Sequence, residues 1–198
     1  MHHFSLRPAL MAALSAGLLA FGTAASAATV YSGSATGALL TNSSVNASFT
    51  ASAGAGLLDL QLAGYATLDG DNYWIDVLHV RLNGQEVLTG SWDLGGGGID
   101  RVLSNPYGAS ISKSGQKLDI SLPLNLLAGS NTLEIAYESP NSFEGTARAG
   151  FQGLGDEGWG VNRLNVTSAV PEPGASALLL AGLALFGAGA LRRRAGRD

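Results

Sequence analysis

Large apolar residues occupy every second position in four segments of this 198-residue chain. They are Leu58, Leu60 and Leu62; Leu78, Val80 and Leu82; Leu118, Ile120 and Leu122; and Leu133, Ile135 and Tyr137. Because successive side chains of a β-strand point to opposite faces, this spacing predicts strands that bury one face. With turn signals between many short strands, we expect an all-β fold, an antiparallel β-sandwich of jelly-roll type.

Turn-forming residues separate the predicted strands. Asn83 and Gly84 lie between two apolar stretches, and an Asn-Gly pair favours the positive φ angles of a type I′ hairpin turn. The region from residue 28 to 52 is rich in serine, threonine, alanine and glycine. Any strands there, at 29–34 and 45–51, are therefore expected at the edges of the sheets.

The N-terminus has the features of a secretory signal peptide. A lightly basic start precedes an apolar stretch at 9–21, and residues 25–27 form a small-residue cleavage site. We predict a signal peptide over residues 1–27, exported through the Sec translocon. Its removal leaves an ectodomain at 28–169, a length that supports a single hydrophobic core.

Composition narrows the functions open to this ectodomain. It carries 13 acidic and 6 basic residues, a net charge of −7, which argues against binding to nucleic acid. The chain has no cysteine, so an exported domain of this kind must be stabilised without disulfides.

The C-terminal segment, 170–198, has three parts. A Val170-Pro171-Glu172-Pro173-Gly174 motif is followed by an uncharged apolar run at 175–191 and then by Arg192, Arg193 and Arg194. A helix of 17 residues is about 25 Å long, the short end of what crosses a bilayer. The arginines of the basic tail, 192–198, predict a cytoplasmic C-terminus and an exported ectodomain.

This arrangement resembles the PEP-CTERM sorting signal, which membrane-embedded exosortases recognise in bacteria. The matching features are Pro171, Glu172 and Pro173 after Val170, then the apolar span and the arginine cluster. The resemblance implies a Gram-negative exported protein, transiently anchored in the inner membrane and cleaved near the motif. It also implies release or attachment at the cell surface, often in an exopolysaccharide producer. The alternative is a single-span anchor that is never cut.

Two ectodomain segments resemble a type of domain that recurs in exported proteins with this signal. Residues 73–84 contain a tryptophan, an aspartate, an alternating strand and the Asn-Gly turn. Residues 153–164 are similar to a Gly-x-x-Asp-Glu-Ser-Trp-Gly-x-Asp-Asn-Val pattern, with Gly158, Asn162 and Arg163 at three departures. If the replaced aspartate binds a metal in relatives, Asn162 keeps its oxygen but loses its charge.

The densest carboxylates are candidate ligands for a structural calcium ion: Asp69, Asp71, Asp76, Asp156 and Glu157. Calcium binds six to eight oxygen atoms, which clustered carboxylates and loop carbonyls supply. The alternative interpretation is that these residues are solvated and form local turns.

Exposed aromatic rings are candidates for stacking on sugars. We expect Tyr73 and Trp92 at the surface. Trp74 is an even number of residues from Leu78, which would place both on the same face of a strand, so Trp74 is expected to be buried. The alternative is that all of these rings pack in the core.

Catalytic signals are weak. His79 is the only histidine of the ectodomain and is expected to face solvent. Zinc needs three or four protein ligands, usually His or Cys, so the sequence argues against a zinc site. Glu134 with Glu138, or Asp156 with Glu157, could act as paired carboxylates in glycoside hydrolysis.

We expect a non-enzymatic surface or matrix protein with a structural or adhesive role in exopolysaccharide or biofilm. The alternatives are a carbohydrate-binding module and a glycan-active enzyme.

Overall fold

The computed structural model describes residues 26–139, 154 and 157–170 of the chain. The span predicted at 175–191 and almost all of the predicted signal peptide lie outside these residues. Within the described part, no helix has the length and apolar character needed to cross a membrane.

Ten strands form the fold. They are β1 (Ser26–Gly33), β2 (Ser43–Ala51), β3 (Gly54–Ala66), β4 (Val77–Leu82), β5 (Gln85–Ser91), β6 (Arg101–Ser104), β7 (Ser110–Ser114), β8 (Lys117–Leu126), β9 (Gly129–Glu138) and β10 (Glu157–Val170). One five-stranded sheet has the order β1-β10-β3-β8-β7, and the other has the order β2-β9-β4-β5-β6.

The two sheets form an antiparallel sandwich, which confirms the predicted fold. Every pairing between neighbouring strands is antiparallel. The chain passes from one sheet to the other after β1, β2, β3, β6, β8 and β9. Only the β4–β5, β5–β6 and β7–β8 connections join neighbours in one sheet, so most contacts are distant in sequence, as in a jelly roll.

The alternating residues form the core between the sheets. Leu58, Leu60 and Leu62 of β3 are fully buried, and the other three predicted segments bury their apolar residues in the same way. These residues belong to one continuous apolar cluster. Burial of one face of each strand therefore holds the two sheets together.

The N-terminal strands lie at the sheet edges, as predicted from their composition. β1 is the outer strand of the first sheet, and β2 is the outer strand of the second. Both begin before the predicted bounds: β1 at Ser26 and β2 at Ser43. Ser26 and Ala27 pair with Val170 and Ala169, although the predicted cleavage site would remove both.

The β4–β5 hairpin confirms the Asn-Gly turn. Asn83 and Gly84 have φ angles of 52° and 78°. The Asn83 side chain also accepts a hydrogen bond from the Thr132 amide at 2.8 Å and donates one to Asn131 at 3.1 Å. The turn therefore also attaches this hairpin to β9.

Two predictions about tryptophans are wrong. Trp92, expected at the surface, is only 4% exposed. It comes directly after β5 and folds back so that its ring covers Gly90, where any side chain would overlap it. Trp74, expected to be buried, is 40% exposed because it precedes β4, and strand parity has no meaning in a loop.

Neighbouring leucines on β3 provide a test of the core. Leu58 is fully buried and Leu57 is exposed on the opposite face. We expect Leu58→Ala to lower the free energy of unfolding by about 2–5 kcal/mol, because it removes buried methyl groups and leaves a cavity. Leu57→Ala should change it by about 0.5 kcal/mol or less. Urea denaturation measures both, and equal effects would contradict the assigned faces.

Candidate functional site

Three buried carboxylates meet at one end of the sandwich. Asp69 lies in the loop after β3, Asp76 immediately precedes β4, and Glu157 is the first residue of β10. All three side chains are buried, and a carboxylate oxygen from each lies within 4.8 Å of one from the others. These residues, called here the carboxylate cluster, were all predicted as calcium ligands.

Hydrogen bonds link the members of the carboxylate cluster. Asp76 Oδ2 accepts a hydrogen bond from the Asp69 amide at 2.6 Å, and the Asp76 amide donates to the Asp69 carbonyl at 3.3 Å. The Ser139 hydroxyl donates to Asp76 Oδ1 and lies 3.4 Å from Glu157 Oε2. Because Ser139 directly follows β9, the cluster joins the ends of β3, β4, β9 and β10.

Burial dominates the electrostatics of the carboxylate cluster. It raises the pKa of the Asp76 carboxyl to about 6, because the charged form loses hydration. The hydrogen bonds from Ser139 and the Asp69 amide act in the opposite direction, and the nearby Asp69 charge raises the pKa further.

Two aromatic residues lie behind the carboxylate cluster. Tyr137 and Trp159 are fully buried, with ring centroids 5.5 Å apart. Trp159 shares a face of β10 with Glu157, and Tyr137 lies near the end of β9, two residues before Ser139. Trp159 Nε1 donates to the Leu40 carbonyl at 2.9 Å. The Tyr137 hydroxyl has no hydrogen-bond partner among the described residues.

The Tyr137 hydroxyl is electrostatically linked to Asp76. Burial raises the pKa of Tyr137, and the Asp76 carboxylate raises it further. The hydroxyl therefore stays protonated and remains a hydrogen-bond donor.

A glycine-rich loop packs against Asp69 of the carboxylate cluster. Asp93 Oδ1 accepts hydrogen bonds from the amides of Gly95 and Gly97 at 3.0 and 2.9 Å, which lowers the pKa of Asp93. A side chain at Gly96 would place its Cβ 2.6 Å from Asp69 Oδ1. Only glycine at this position lets the backbone approach the carboxylate so closely.

The remaining predicted calcium ligands are not part of the carboxylate cluster as described. Asp71 forms a 2.8 Å ion pair with Arg101 instead. Asp156 lies outside the described residues. Asn162, the departure from the family pattern, is on β10 and donates to Gln61 at 3.4 Å. Ser139 and Tyr137 were missed, because no local motif marks a residue that approaches the site from another strand.

The loop between Asp69 and Asp76 displays two aromatic rings. Tyr73 is 76% exposed, as predicted, and Trp74 is its neighbour rather than a core residue. Their ring centroids are 4.9 Å apart in an edge-to-face arrangement. The burial of Trp92 removes it from any such surface.

Charged residues cover the outer face of the second sheet. Arg81 lies 3.4 Å from Glu134 and 3.1 Å from Glu138. His79 is on the predicted outer face, but its side chain is largely covered by Glu86 and Glu138. A shallow pocket of about 440 Å³ is lined in part by the two glutamates. Their carboxylates are partners of Arg81 in an ion-pair network.

The described sandwich has only distant similarity to a known protein that a comparison with solved structures identifies. A search of curated proteins finds no match. One similar solved structure is a family 35 carbohydrate binding module from an environmental isolate, with 14% identity and a TM-score of 0.33. The alignment covers 66% of this chain and 72% of that module. A similarity this low does not indicate a shared function.

The C-terminal residues match a family model. Residues 169–194 match the PEP-CTERM protein-sorting motif. The match includes Pro171, Glu172, Pro173, the apolar run and the three arginines that follow it. The chain therefore carries a PEP-CTERM sorting motif, which indicates an exported exosortase substrate that is anchored in the membrane of a Gram-negative bacterium before processing.

Proposed function

We propose that the processed protein is a non-enzymatic structural or adhesive component of the exopolysaccharide or biofilm layer. The observation that carries this proposal is the position of the sorting motif directly after the sandwich. β10 ends at Val170, and Pro171 begins the Pro-Glu-Pro segment. Cleavage near the motif would deliver the whole sandwich to the cell surface.

The placement of the predicted acid–base pairs supports a non-enzymatic role. Glu134 and Glu138 both contact Arg81, so their carboxylates form structural ion pairs. Glu157 is only 2% exposed, which keeps its carboxylate away from a substrate in solution. Glu134 and Glu138 line a shallow pocket, but their pairing with Arg81 distinguishes them from the free acid and base that flank a substrate cleft.

A second candidate function is carbohydrate binding, favoured by Tyr73 and Trp74. Exposed neighbouring rings are unusual on a small soluble domain, since aromatic side chains normally contribute large buried areas. Aromatic faces stack on the apolar faces of sugar rings, which would allow this loop to adhere to a matrix polysaccharide. This surface replaces the predicted Tyr73 and Trp92 pair.

Processing at the sorting motif can be tested in the native host. Mass spectrometry of the surface protein should detect peptides of the sandwich and none from residues 175–198, because an exosortase removes the tail. Replacing Pro171, Glu172 and Pro173 by alanine should leave most of the chain at full length in the membrane fraction. Ser176→Ala, in the same tail but outside the motif, should be processed normally. Intact tails on the wild-type surface protein would contradict exosortase processing.

Binding to the host exopolysaccharide tests the second candidate function. We expect Tyr73→Ala and Trp74→Ala each to weaken co-sedimentation about fivefold to tenfold, the loss of roughly 1 kcal/mol of stacking. Leu127→Ala, which truncates another exposed apolar side chain, is the matched control. Unchanged binding by both aromatic variants would exclude the loop as the binding surface. Release of new reducing ends from the polysaccharide would instead indicate an enzyme.

A further inference from the structure

The carboxylate cluster has the chemistry of a cation site. We propose that Asp69, Asp76 and Glu157 bind one calcium ion, with the Ser139 hydroxyl beside it. This inference goes beyond the proposed function, because it concerns how the sandwich is stabilised and is independent of any ligand at the surface.

The spacing of the oxygen atoms fits a single ion. Calcium–oxygen distances are about 2.3 to 2.6 Å, so two oxygens on opposite sides of one ion are about 4.6 to 5.2 Å apart. A carboxylate oxygen from each of the three residues lies within 4.8 Å of the others. Bidentate carboxylates together with Ser139 can supply the six to eight oxygens that calcium requires.

The charge of the carboxylate cluster also favours a cation. The three acidic side chains are buried, where repulsion between like charges is stronger than in water. A divalent ion at the point where the three carboxylates meet would offset that repulsion.

The Tyr137 hydroxyl is an independent observation that points to a ligand. It is fully buried and has no hydrogen-bond partner in the described part of the chain, although buried polar groups are nearly always paired. Tyr137 lies near the end of β9, and its hydroxyl interacts electrostatically with Asp76, which Ser139 contacts. The hydroxyl is therefore within electrostatic range of the cluster, where a metal-bound water would accept its hydrogen bond.

The donor atoms distinguish calcium from other common ions. Zinc prefers nitrogen and sulfur ligands, and the only histidine in the described residues, His79, lies on the outer face of the second sheet. Magnesium usually keeps several of its water ligands. A buried site with three carboxylates can replace most of that hydration shell, which suits calcium better.

Bound calcium would connect two segments that are distant in sequence. Asp69 and Asp76 enclose the loop that displays Tyr73 and Trp74, and Glu157 begins the last strand. The ion would therefore fix this loop to β10 in a chain that has no disulfides.

Calcium binding can be measured on the full-length chain in detergent after treatment with EDTA. Isothermal titration calorimetry should show one calcium ion per chain. At a free calcium concentration about a hundred times the dissociation constant, the melting temperature should rise by about 5–10 °C. Terbium, which replaces calcium in oxygen sites, should show emission sensitised by Tyr137 and Trp159.

Variants of the carboxylates connect the signal to the proposed site. Glu157→Gln and Asp76→Asn should abolish the calcium-induced shift in melting temperature and the terbium emission. Glu138→Gln, an exposed glutamate of the second sheet, should keep both. If the cluster variants do not fold, the wild-type titration decides alone. The absence of heat, melting shift and terbium emission at about 10 mM calcium, above the dissociation constants of weak extracellular sites, would overturn the proposal.

Discussion

The pairing of the last strand with its two neighbours is the interaction on which the rest of the sandwich depends. β10 hydrogen-bonds to β1 on one side and to β3 on the other. It buries Trp159, Val161, Leu164 and Val166 against the second sheet. On its outer face, Arg163 forms a bidentate contact with Asp59 at 2.8 and 3.0 Å and a further one with Asp119 at 2.9 Å. Without this strand, β1 would lose its only partner among the described strands, and the core would open to water.

The same strand links the fold to export. Glu157 at its first residue joins the carboxylate cluster, and the sorting motif follows its last residue, Val170. A strand of 14 residues is at most about 45 Å long, and Glu157 and Val170 are its two end residues.

Patterns that act within one strand or one turn could be read directly from the sequence. The alternation of leucines on β3 and the Asn83-Gly84 turn depend only on local backbone geometry, and both are confirmed. The low apolar content of β1 and β2 likewise identified them as edge strands. The sorting motif could be recognised because its three parts are consecutive.

Features that depend on contacts between distant segments were harder to predict from the sequence. The parity that placed Trp74 in the core applies only inside a strand, and this residue lies in a loop. Trp92 is buried because its ring covers Gly90, a contact that no local pattern reveals. Among the carboxylates, Asp69, Asp76 and Glu157 converge whereas Asp71 pairs with Arg101, because crossovers between the sheets decide which loops meet. Ser139 and Tyr137 approach the same place from a fourth strand.

Hydrogen–deuterium exchange of the full-length chain tests most directly whether β10 is the central element of the fold. Amides of residues 159–166, which lie between two strands, should exchange on the order of a hundredfold more slowly than those of the outer strand β7, because their exposure requires the sandwich to open. Exchange of β10 as fast as that of β7 would show that the last strand is only loosely attached, and would contradict this account.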